Sequence, residues 1–554
     1  MKALVRTSSL LIIIFLVLAG TLPASRAQEP STLKIPFPRY DGSLTPYTFE
    51  LGYPLVTLIY DTLMWRDEDG VPEPLLARSV IPNDRFDSYT IHIEPEVEWH
   101  DGAPVTAGDV AFTFGYLQAR EHPRFTPQLR AIRSVEVVDH DTLVVDLEYP
   151  SEGFLDQPLA DVPILPAHLW GGLTAEGVPR GLPVGSGPYL LESESLDDGY
   201  VFTANDRYFK GAPAPQKIKV PIISDYGDQL TALDDADVDA LPVTLVGGDA
   251  GGAADLSVEI SRGPLFAGTV LMFNTREPPF DKRPARAAVA AALDLDRIAG
   301  SVGGVVSAEQ GYIHPSSRWA SDQPLQRFNP ERAIDRFARA DLGILEVLAP
   351  ENDEARREAG RQVVLALERV GLDAELRVLT AIELAAAVGQ DRDGANFQMA
   401  IWNSPALASY DPDLLSVLFG SGPEQSLNLS GYNSARFDKE STRMERAIGD
   451  DRERAAERVL KVLAKEAPVV PLFFFEGAFA YRRAAFDDWV FVEGSGILDK
   501  RSFLGEPSEE DPKGEPDLAE GTETETTGIG PIGFVALLLV AVAVGLLIRG
   551  ARRG

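Results

Sequence analysis

A histidine and an aspartate stand side by side in the stretch EWHDGAPVTAGDVAFTF, with a threonine and a second aspartate close behind. His100 and Asp101 are residue types that act together as a general base or as metal ligands. The same stretch also fits a turn at Asp101-Gly102 and a helix capped by Thr106 and Asp109, which stand at capping-box spacing. We prefer this structural interpretation, because it accounts for the polar residues without any chemistry.

Other candidate metal, nucleotide and catalytic motifs are incomplete. Asp235, Asp237 and Asp239 imitate the start of a calcium loop, but Ala240 stands where that loop requires glycine. The glycine-rich segment 247–252 lacks the lysine and hydroxyl residue of a phosphate-binding loop. The 6 histidines form no i, i+3 or i, i+4 pair, the chain has no cysteine, and no G-x-S-x-G sequence occurs. We therefore predict no catalytic residue, no metal site and no cofactor, and we expect a protein that is not an enzyme.

Regular elements must position these residues. The alternation of apolar and polar residues over 89–93 is typical of a strand with one buried face. Val110, Phe114 and Leu117 are spaced by four and three residues, which predicts the apolar stripe of a helix. Alternating residues on either side of Asp-His-Asp predict a hairpin over 135–147.

From Thr269 onward, strand-like and helix-like segments alternate. Strands are predicted at 270–273, 374–379 and 397–402, and helices at 283–293 and 361–370, the second of them stopped by Gly371. This alternation predicts a mainly parallel sheet covered by helices on both faces. Ligands bind such sheets at the carboxyl ends of the strands.

The amino-terminal end and the charge indicate an exported protein. Lys2 and Arg6 precede an apolar run, and small residues end at Ala27, so residues 1–27 are predicted to be a signal peptide. The net charge of −33 argues against a nucleic-acid partner, because binding phosphate requires basic patches.

The carboxyl-terminal end predicts an anchor. Residues 529–548 form an apolar run of about the ~20 residues that span a bilayer, and arginines follow in the tail 549–554. Segment 505–528 is acidic and nearly free of large apolar residues, which predicts a disordered tether. We expect a location on the extracellular face of the cell membrane, held by a single C-terminal transmembrane helix, with the tail in the cytoplasm.

The opening stretch also resembles the "hDGxpxTAxDVxF" segment of family 5 extracellular solute-binding proteins, the capture subunits of ABC importers for oligopeptides, dipeptides, nickel and other solutes. Colinear matches extend this resemblance over about residues 35–481. They include Leu58 to Leu63, Pro74 to Ser79, Gly185 to Tyr189, Phe273-Asn274, Arg286-Ala287 and Gly431 to Asn433. Glu94 departs from the basic residue that is usual in the family, so any role of that charge does not transfer.

The resemblance implies a fold and a set of partners. The fold is α/β and like that of type II periplasmic binding proteins, with two α/β lobes, an additional small domain and a ligand cleft between the lobes. It implies lobe 1 at residues 30–53, 181–265 and 480–503, the small α+β domain at 54–180, and lobe 2 at 266–479. The implied partners are a small solute, such as a peptide, and the permease and ATPase subunits of an ABC transporter, with the protein itself a monomer.

The strongest ligand-binding candidates follow a predicted strand. Trp402-Asn403 ends that strand, and in similar binding proteins the tryptophan lines the pocket; packing in the core is the alternative. Tyr410 and Asp411 resemble part of the W-x-x-D-Y-x-D-P sequence of the peptide binders. Ser409 replaces the acid that in those proteins can pair with the peptide's amino group, which leaves peptide specificity open.

Four further residues complete the candidate site. Asn274 lies at a strand-to-loop exit, and Phe49, Glu50 and Tyr53 lie in the matching amino-terminal loop. Asp411 also fits a second interpretation, as the N-cap of a helix whose first residue is proline.

Together these features predict a solute-binding protein that captures a peptide or similar small solute and delivers it to an ABC permease. A ligand-binding sensor with a separate signalling partner and a surface hydrolase are the alternatives. Copurified transporter subunits would favour transport, whereas product release from peptides or esters would favour hydrolysis.

Overall fold

The computed structural model describes residues 31–49, 52–173, 177–243, 257–338, 342–351, 353–389, 394–422 and 427–505, which belong to one compact unit. The predicted signal peptide, the apolar run 529–548 and all but the first residue of the acidic segment lie outside the described residues, as does Glu50.

The described strands are short except for two. They are β1 (Thr32–Lys34), β2 (Met64–Arg66), β3 (Pro72–Pro74), β4 (Ala77–Pro82), β5 (Ser88–Ile93), β6 (Ile132–Val137), β7 (Thr142–Leu147), β8 (Tyr189–Ser195), β9 (Gly199–Ala204), β10 (Lys217–Val220), β11 (Ala240–Val243), β12 (Glu259–Phe273), β13 (Val305–Ser307), β14 (Leu345–Pro350), β15 (Ala374–Leu379), β16 (Met399–Ser404) and β17 (Val469–Tyr481). The long pair, β12 and β17, runs antiparallel with two register shifts.

The helices concentrate in the second half of the chain. They are α1 (Tyr53–Ile59), α2 (Ala107–Ala119), α3 (Ala167–Trp170), α4 (Tyr226–Asp234), α5 (Arg283–Ala292), α6 (Leu295–Val302), α7 (Pro330–Phe337), α8 (Glu354–Arg369), α9 (Ala381–Val388), α10 (Leu407–Tyr410), α11 (Leu414–Phe419), α12 (Ala435–Glu445) and α13 (Asp450–Glu466). Short 3₁₀ helices cover Thr126–Leu129, Glu152–Leu155 and Lys500–Phe503.

The strands form three larger sheets and one hairpin. One four-stranded sheet has the order β1-β10-β9-β8, and a second, fully antiparallel, has the order β4-β5-β7-β6. The seven-stranded sheet has the order β11-β17-β12-β16-β14-β15, with β13 beside β17, and β2 pairs with β3. The division of the chain into lobes and a small domain stays a prediction.

The predicted local elements around the opening stretch are confirmed. The hydroxyl of Thr106 accepts from the backbone N–H of Asp109, and the Asp109 carboxylate accepts from the backbone N–H of Thr106, a complete capping box. Val110, Phe114 and Leu117 are fully buried on α2. The hairpin is β6 and β7, and the turn lies where it was predicted.

The prediction of a mainly parallel sheet is wrong. In the seven-stranded sheet the pairs β14–β15 and β14–β16 are parallel, and the other four described pairings are antiparallel. Helices α8 and α9 connect the parallel strands β14, β15 and β16, as expected. The long strands β12 and β17, which lie next to each other in the same sheet, run in opposite directions. Alternation of helix and strand does not encode strand direction, so this reversal was invisible in the sequence.

The predicted membrane anchor is also corrected. Within the residues that the structure describes, no helix is both long and apolar enough to cross a membrane. The longest of them, α13, has 17 residues and an exposed face of charged side chains. The predicted location at the cell surface through a single C-terminal transmembrane helix is therefore withdrawn.

Candidate ligand cavity

A cavity of about 1130 Å³ opens between two unlike walls. One wall is the end of α2 and the segment that follows it, and it is mostly polar. The other wall is built from β12, β16 and α11 with their adjoining loops, and it is mostly apolar. The polar wall contributes Gln118, Glu121, His122, Pro123, Thr126, Pro127 and Arg130; the apolar wall includes Val270, Met272, Tyr312, Trp402, Ala408, Leu415, Leu418 and Phe419.

Strand alternation places Trp402 on the cavity side of the sheet. Trp402 pairs with Val270 across β16 and β12, and both line the cavity. Their chain neighbours Leu271 and Ile401 point to the opposite face, into the core beneath α5 and α8. Trp402 is half-buried and Asn403 beside it is exposed, so both predicted residues lie at the cavity.

His122 is a buried titratable side chain of the polar wall. Its ring stacks on Phe125 with 4.5 Å between centroids, and its Nδ1 accepts from the backbone N–H of Arg124 at 3.2 Å. Burial, reinforced by the Arg124 guanidinium, lowers the pKa of His122 to about 4. The imidazole is therefore neutral at pH 7 and offers a polar but uncharged surface to a ligand.

Phe49 and Tyr53 support this wall without lining the cavity. The Phe49 ring lies 5.9 Å from the His122 ring and 5.2 Å from the Tyr53 ring. The Arg124 guanidinium lies 3.9 Å from the centre of the Tyr53 ring, and it also pairs with the buried carboxylate of Asp161 at 2.6 Å. Phe49 and Tyr53, both predicted as ligand-binding residues, thus pack against the segment that contains His122 and Arg124.

Tyr410 and Asp411 lie in a buried polar network away from the cavity. The Tyr410 hydroxyl donates to the carbonyl of Glu493 at 2.7 Å, and the Arg66 guanidinium lies 4.2 Å from the centre of its ring. Asp411 is 1% exposed, and both of its oxygens accept from Nη2 of Arg452 at 2.7 Å.

The interpretation of Asp411 as a helix N-cap is therefore corrected. Helix α11 begins at Leu414, after Asp413, and the Asp411 carboxylate accepts from the backbone N–H of Asp413 at 2.8 Å while its main partner is Arg452. A signal for this ion pair was present in the sequence. Arg452 stands three and four residues before Ala455 and Ala456, on the buried stripe of α13, where an isolated arginine requires a buried acid.

Asn274 stabilises a turn and does not line the cavity. Its side chain is 2% exposed, and its Oδ1 accepts from the backbone N–H of Arg276 at 3.2 Å. Of the described candidates, the structure brings Trp402 and Asn403 to the cavity, places Phe49 and Tyr53 behind its polar wall, and leaves Asn274, Tyr410 and Asp411 elsewhere.

The opening pair, His100 and Asp101, is not assembled as a catalytic pair. The His100 ring lies between two glycines: its Nδ1 accepts from the N–H of Gly185 at 3.3 Å, and its Nε2 contacts the carbonyl of Gly187 at 2.9 Å. Asp101 pairs with His168 at 2.8 Å near the surface. Both ring nitrogens of His100 are thus occupied by backbone. Across the described ranges, no group of three or more possible ligand side chains is arranged to hold a metal ion.

The architecture matches solved structures of type II periplasmic binding proteins. The oligopeptide-binding protein AppA of Bacillus subtilis, solved with a nonapeptide, has a TM-score of 0.71 at 19% identity and covers 82% of this chain and 95% of its own. AgaA of A. tumefaciens R10, solved with agropinic acid, has a TM-score of 0.73 at 22% identity, covering 85% and 96%. These likenesses confirm the predicted fold class.

The family follows from the sequence. The model of bacterial extracellular solute-binding proteins, family 5, matches residues 71–426, and the chain belongs to this family, which confirms the resemblance. A putative ABC transporter peptide-binding protein of Brucella ovis is 25% identical over 292 residues, which cover 50% of this chain and 54% of that protein. The chain thus aligns with about half the length of that relative. The family is one of solute-binding proteins rather than enzymes.

Proposed function

We propose that this protein captures a peptide, or a solute of similar size, in the cavity beside Trp402 and delivers it to the permease of an ABC importer. The observation that carries the proposal is the cavity itself. Its volume of about 1130 Å³ exceeds the range of about 300–1,000 Å³ that is usual for small-molecule sites. A ligand of several residues fits this volume better than a single metabolite does.

The two walls suit the two parts of a peptide. Val270, Met272, Trp402 and Phe419 offer apolar contacts for side chains. On the opposite wall Gln118 and Thr126 offer uncharged polar groups, as do Asn403 and Ser404 next to the tryptophan, and these can bond backbone amides without selecting one side chain. Glu121 and Arg130 of that wall are charged and can pair with a charged group of the ligand. Family membership and the nonapeptide bound by AppA support the same assignment.

Native mass spectrometry of protein purified from its own host tests this proposal. We expect copurified peptides or similar solutes that are released on unfolding. Re-adding the released species should raise the free energy of unfolding by about 2.7 kcal/mol at a hundredfold excess over Kd, because the ligand binds only the folded state.

The delivery step requires its own test. Crosslinked complexes isolated from host membranes should contain permease and ATPase subunits, whereas a signalling partner in their place would contradict delivery. If neither the host's small molecules nor a peptide library shifts the melting temperature, capture itself is refuted.

A further inference from the structure

His122 is held in a fixed orientation in the polar wall of the large cavity. Its ring stacks on Phe125, and the rings of Tyr47 and Phe49 lie 5.4 and 5.9 Å away. Its backbone is also fixed, because its N–H donates to the hydroxyl of Thr126 at 2.8 Å and its carbonyl accepts from the N–H of Thr126 at 3.1 Å. The hydrogen-bonding capacity of this side chain is therefore set before a ligand arrives.

The backbone around His122 decides which ring nitrogen carries the hydrogen. Nδ1 accepts from the N–H of Arg124 at 3.2 Å and from the N–H of Phe125 at 3.4 Å. A ring nitrogen that accepts hydrogen bonds cannot itself carry a hydrogen, so in the neutral ring the hydrogen is on Nε2. Because burial lowers the pKa of His122 to about 4, the ring is neutral at pH 7. His122 is thus a hydrogen-bond donor through Nε2 alone.

The donor atom of His122 is accessible from the cavity. Among the residues that the structure describes, Nε2 has no hydrogen-bond partner, and it is not one of the unpartnered polar atoms that are shut off from solvent. Aromatic side chains and backbone cover the rest of the ring, and the residue is 9% exposed. Since His122 lines the large cavity, the exposed edge of the ring with its Nε2–H faces the space for a ligand.

The charges of the same wall indicate which kind of acceptor fits this donor. Glu121, the neighbour of His122 in the chain, is exposed and negative, so it disfavours a carboxylate at this wall. Arg130, the arginine of the cavity lining, already pairs with Glu445. An uncharged carbonyl, such as that of a peptide bond, accepts a hydrogen bond without this repulsion.

The geometry points to His122 as a specificity-determining residue of the large cavity, whose Nε2–H donates to an uncharged carbonyl oxygen of the solute. This inference rests on the proposed function, since it assigns one contact within the same cavity. A solute without a carbonyl at this position covers the donor without pairing it, and it binds more weakly because the donor loses its water.

The position of the hydrogen can be tested without any ligand. The full chain, labelled with ¹⁵N in its 6 histidines, shows by nitrogen NMR whether each ring nitrogen carries a hydrogen. The signals of His122 are identified by their contact with the stacked ring of Phe125. We expect a hydrogen on Nε2 and none on Nδ1 at pH 7. A hydrogen on Nδ1, or on both nitrogens, would overturn the proposal.

Two substitutions separate the roles of the two nitrogens in binding. His122→Gln places an amide N–H near the position of Nε2, whereas His122→Asn keeps an acceptor near the position of Nδ1 and does not reach that of Nε2. The probe is a random pentapeptide library, prepared with free and with amidated carboxyl ends, and equilibrium dialysis measures its binding. We expect His122→Asn to weaken binding about fivefold or more, and His122→Gln less than about twofold. His140→Asn, at an exposed turn outside the cavity lining, should bind as the unmodified protein does.

The contrary outcomes of the binding experiment are distinct from one another. Equal affinities of His122→Asn and His122→Gln would show that the donor does not contact the solute. Weakening confined to the library with free carboxyl ends would show that the acceptor is the terminal carboxylate. If the unmodified protein binds neither library, the proposed capture of peptides fails and the carbonyl contact fails with it. The NMR result judges the donor itself in every case, including failure of a variant to fold.

Discussion

Arg452 is a cation almost completely removed from water, with 1% of its side chain exposed. Besides Asp411, it pairs with Asp413 at 3.1 Å and donates to the carbonyl of Met444 at 3.2 Å. Gly153 packs directly against this group: a Cβ there would lie 2.6 Å from Nη2 of Arg452. The close contact between Gly153 and the Arg452 guanidinium therefore fixes how the chain near residue 153 packs against α13.

Replacing Arg452 by methionine should destabilise the protein by about 3–5 kcal/mol, because it leaves the buried carboxylate of Asp411 without its cation. Urea denaturation measures the change. Arg454→Met is the matched control, since this arginine lies on the same helix but is 60% exposed in its pairs with Asp450 and Asp451. It should leave the midpoint of denaturation essentially unchanged. Equal destabilisation by both variants would show that burial of the ion pair is not the cause.

The two sequence-based interpretations of Asp411 show the limits of prediction for single residues. An Asp-Pro dipeptide signals a helix start on local grounds. The actual partner, Arg452, follows 41 positions later, and only the fold brings the two together. The prediction that Trp402 lines the pocket rests on its place at the end of a predicted strand and on the family resemblance; the structure places it at the cavity, and its role in binding stays a prediction. The polar wall around His122 carried no sequence signal of a cavity.

At the scale of elements, the backbone of the segment around Gly185 contacts the backbone of α1 directly, with no side chain between them. A Cβ at Gly185 would lie 1.9 Å from the carbonyl oxygen of Ile59, and one at Gly187 would lie 2.4 Å from that of Leu58. The N–H of Gly187 donates to Ile59 O at 2.8 Å. The glycines of the G-S-G-P-Y sequence are therefore required for close packing of this segment on the end of α1.

Gly185→Ala should destabilise the protein by at least about 1–3 kcal/mol, because the contact is with backbone that cannot rotate away. Gly115→Ala is the control, and it should change the stability in the opposite direction. Gly115 lies within α2 with open space around its Cα, so alanine there should stabilise the protein by up to about 1 kcal/mol. Thermal unfolding of both variants should show a lower melting temperature for Gly185→Ala and a higher one for Gly115→Ala. An unchanged melting temperature for Gly185→Ala would contradict the close contact between Gly185 and Ile59.

Element type was more predictable from the sequence than element direction. The capping box of α2, the β6–β7 hairpin and the strand at 374–379 follow from local periodicity and turn chemistry, and the structure confirms them. The antiparallel direction of β12 and β17 cannot be predicted from local sequence, because it depends on pairing between segments about 200 residues apart.

At the scale of the whole molecule, the matched family segments Leu58 to Leu63 and Gly185 to Tyr189 pack against each other. Asp61 is fully buried and accepts from the hydroxyls of Ser186 and Tyr208, at 2.9 and 3.0 Å, and from Nζ of Lys500 at 2.6 Å. These bonds tie together four distant parts of the chain. The fold class could therefore be predicted from those motifs.

The solute could not be predicted in the same way. The cavity is lined by residues around 118–130 and 415–430 that belong to none of the matched motifs, and nothing in their local pattern indicates that they meet. Their assembly depends on the docking of α2 and its following segment against the seven-stranded sheet, a long-range property of the fold.

Trp402→Ala, measured for both ligand affinity and stability, tests the proposed cavity most directly. With a solute recovered from the host protein, we predict a loss of about 2 kcal/mol of affinity, roughly 30-fold in Kd, and only a small loss of stability, because Trp402 is a half-buried anchor at the cavity. Trp65→Ala, at a half-buried tryptophan outside the cavity lining, should keep the original affinity. The contrary result is a loss of about 3–5 kcal/mol of stability with unchanged affinity in the folded fraction, which would make Trp402 a core residue and remove it from the site.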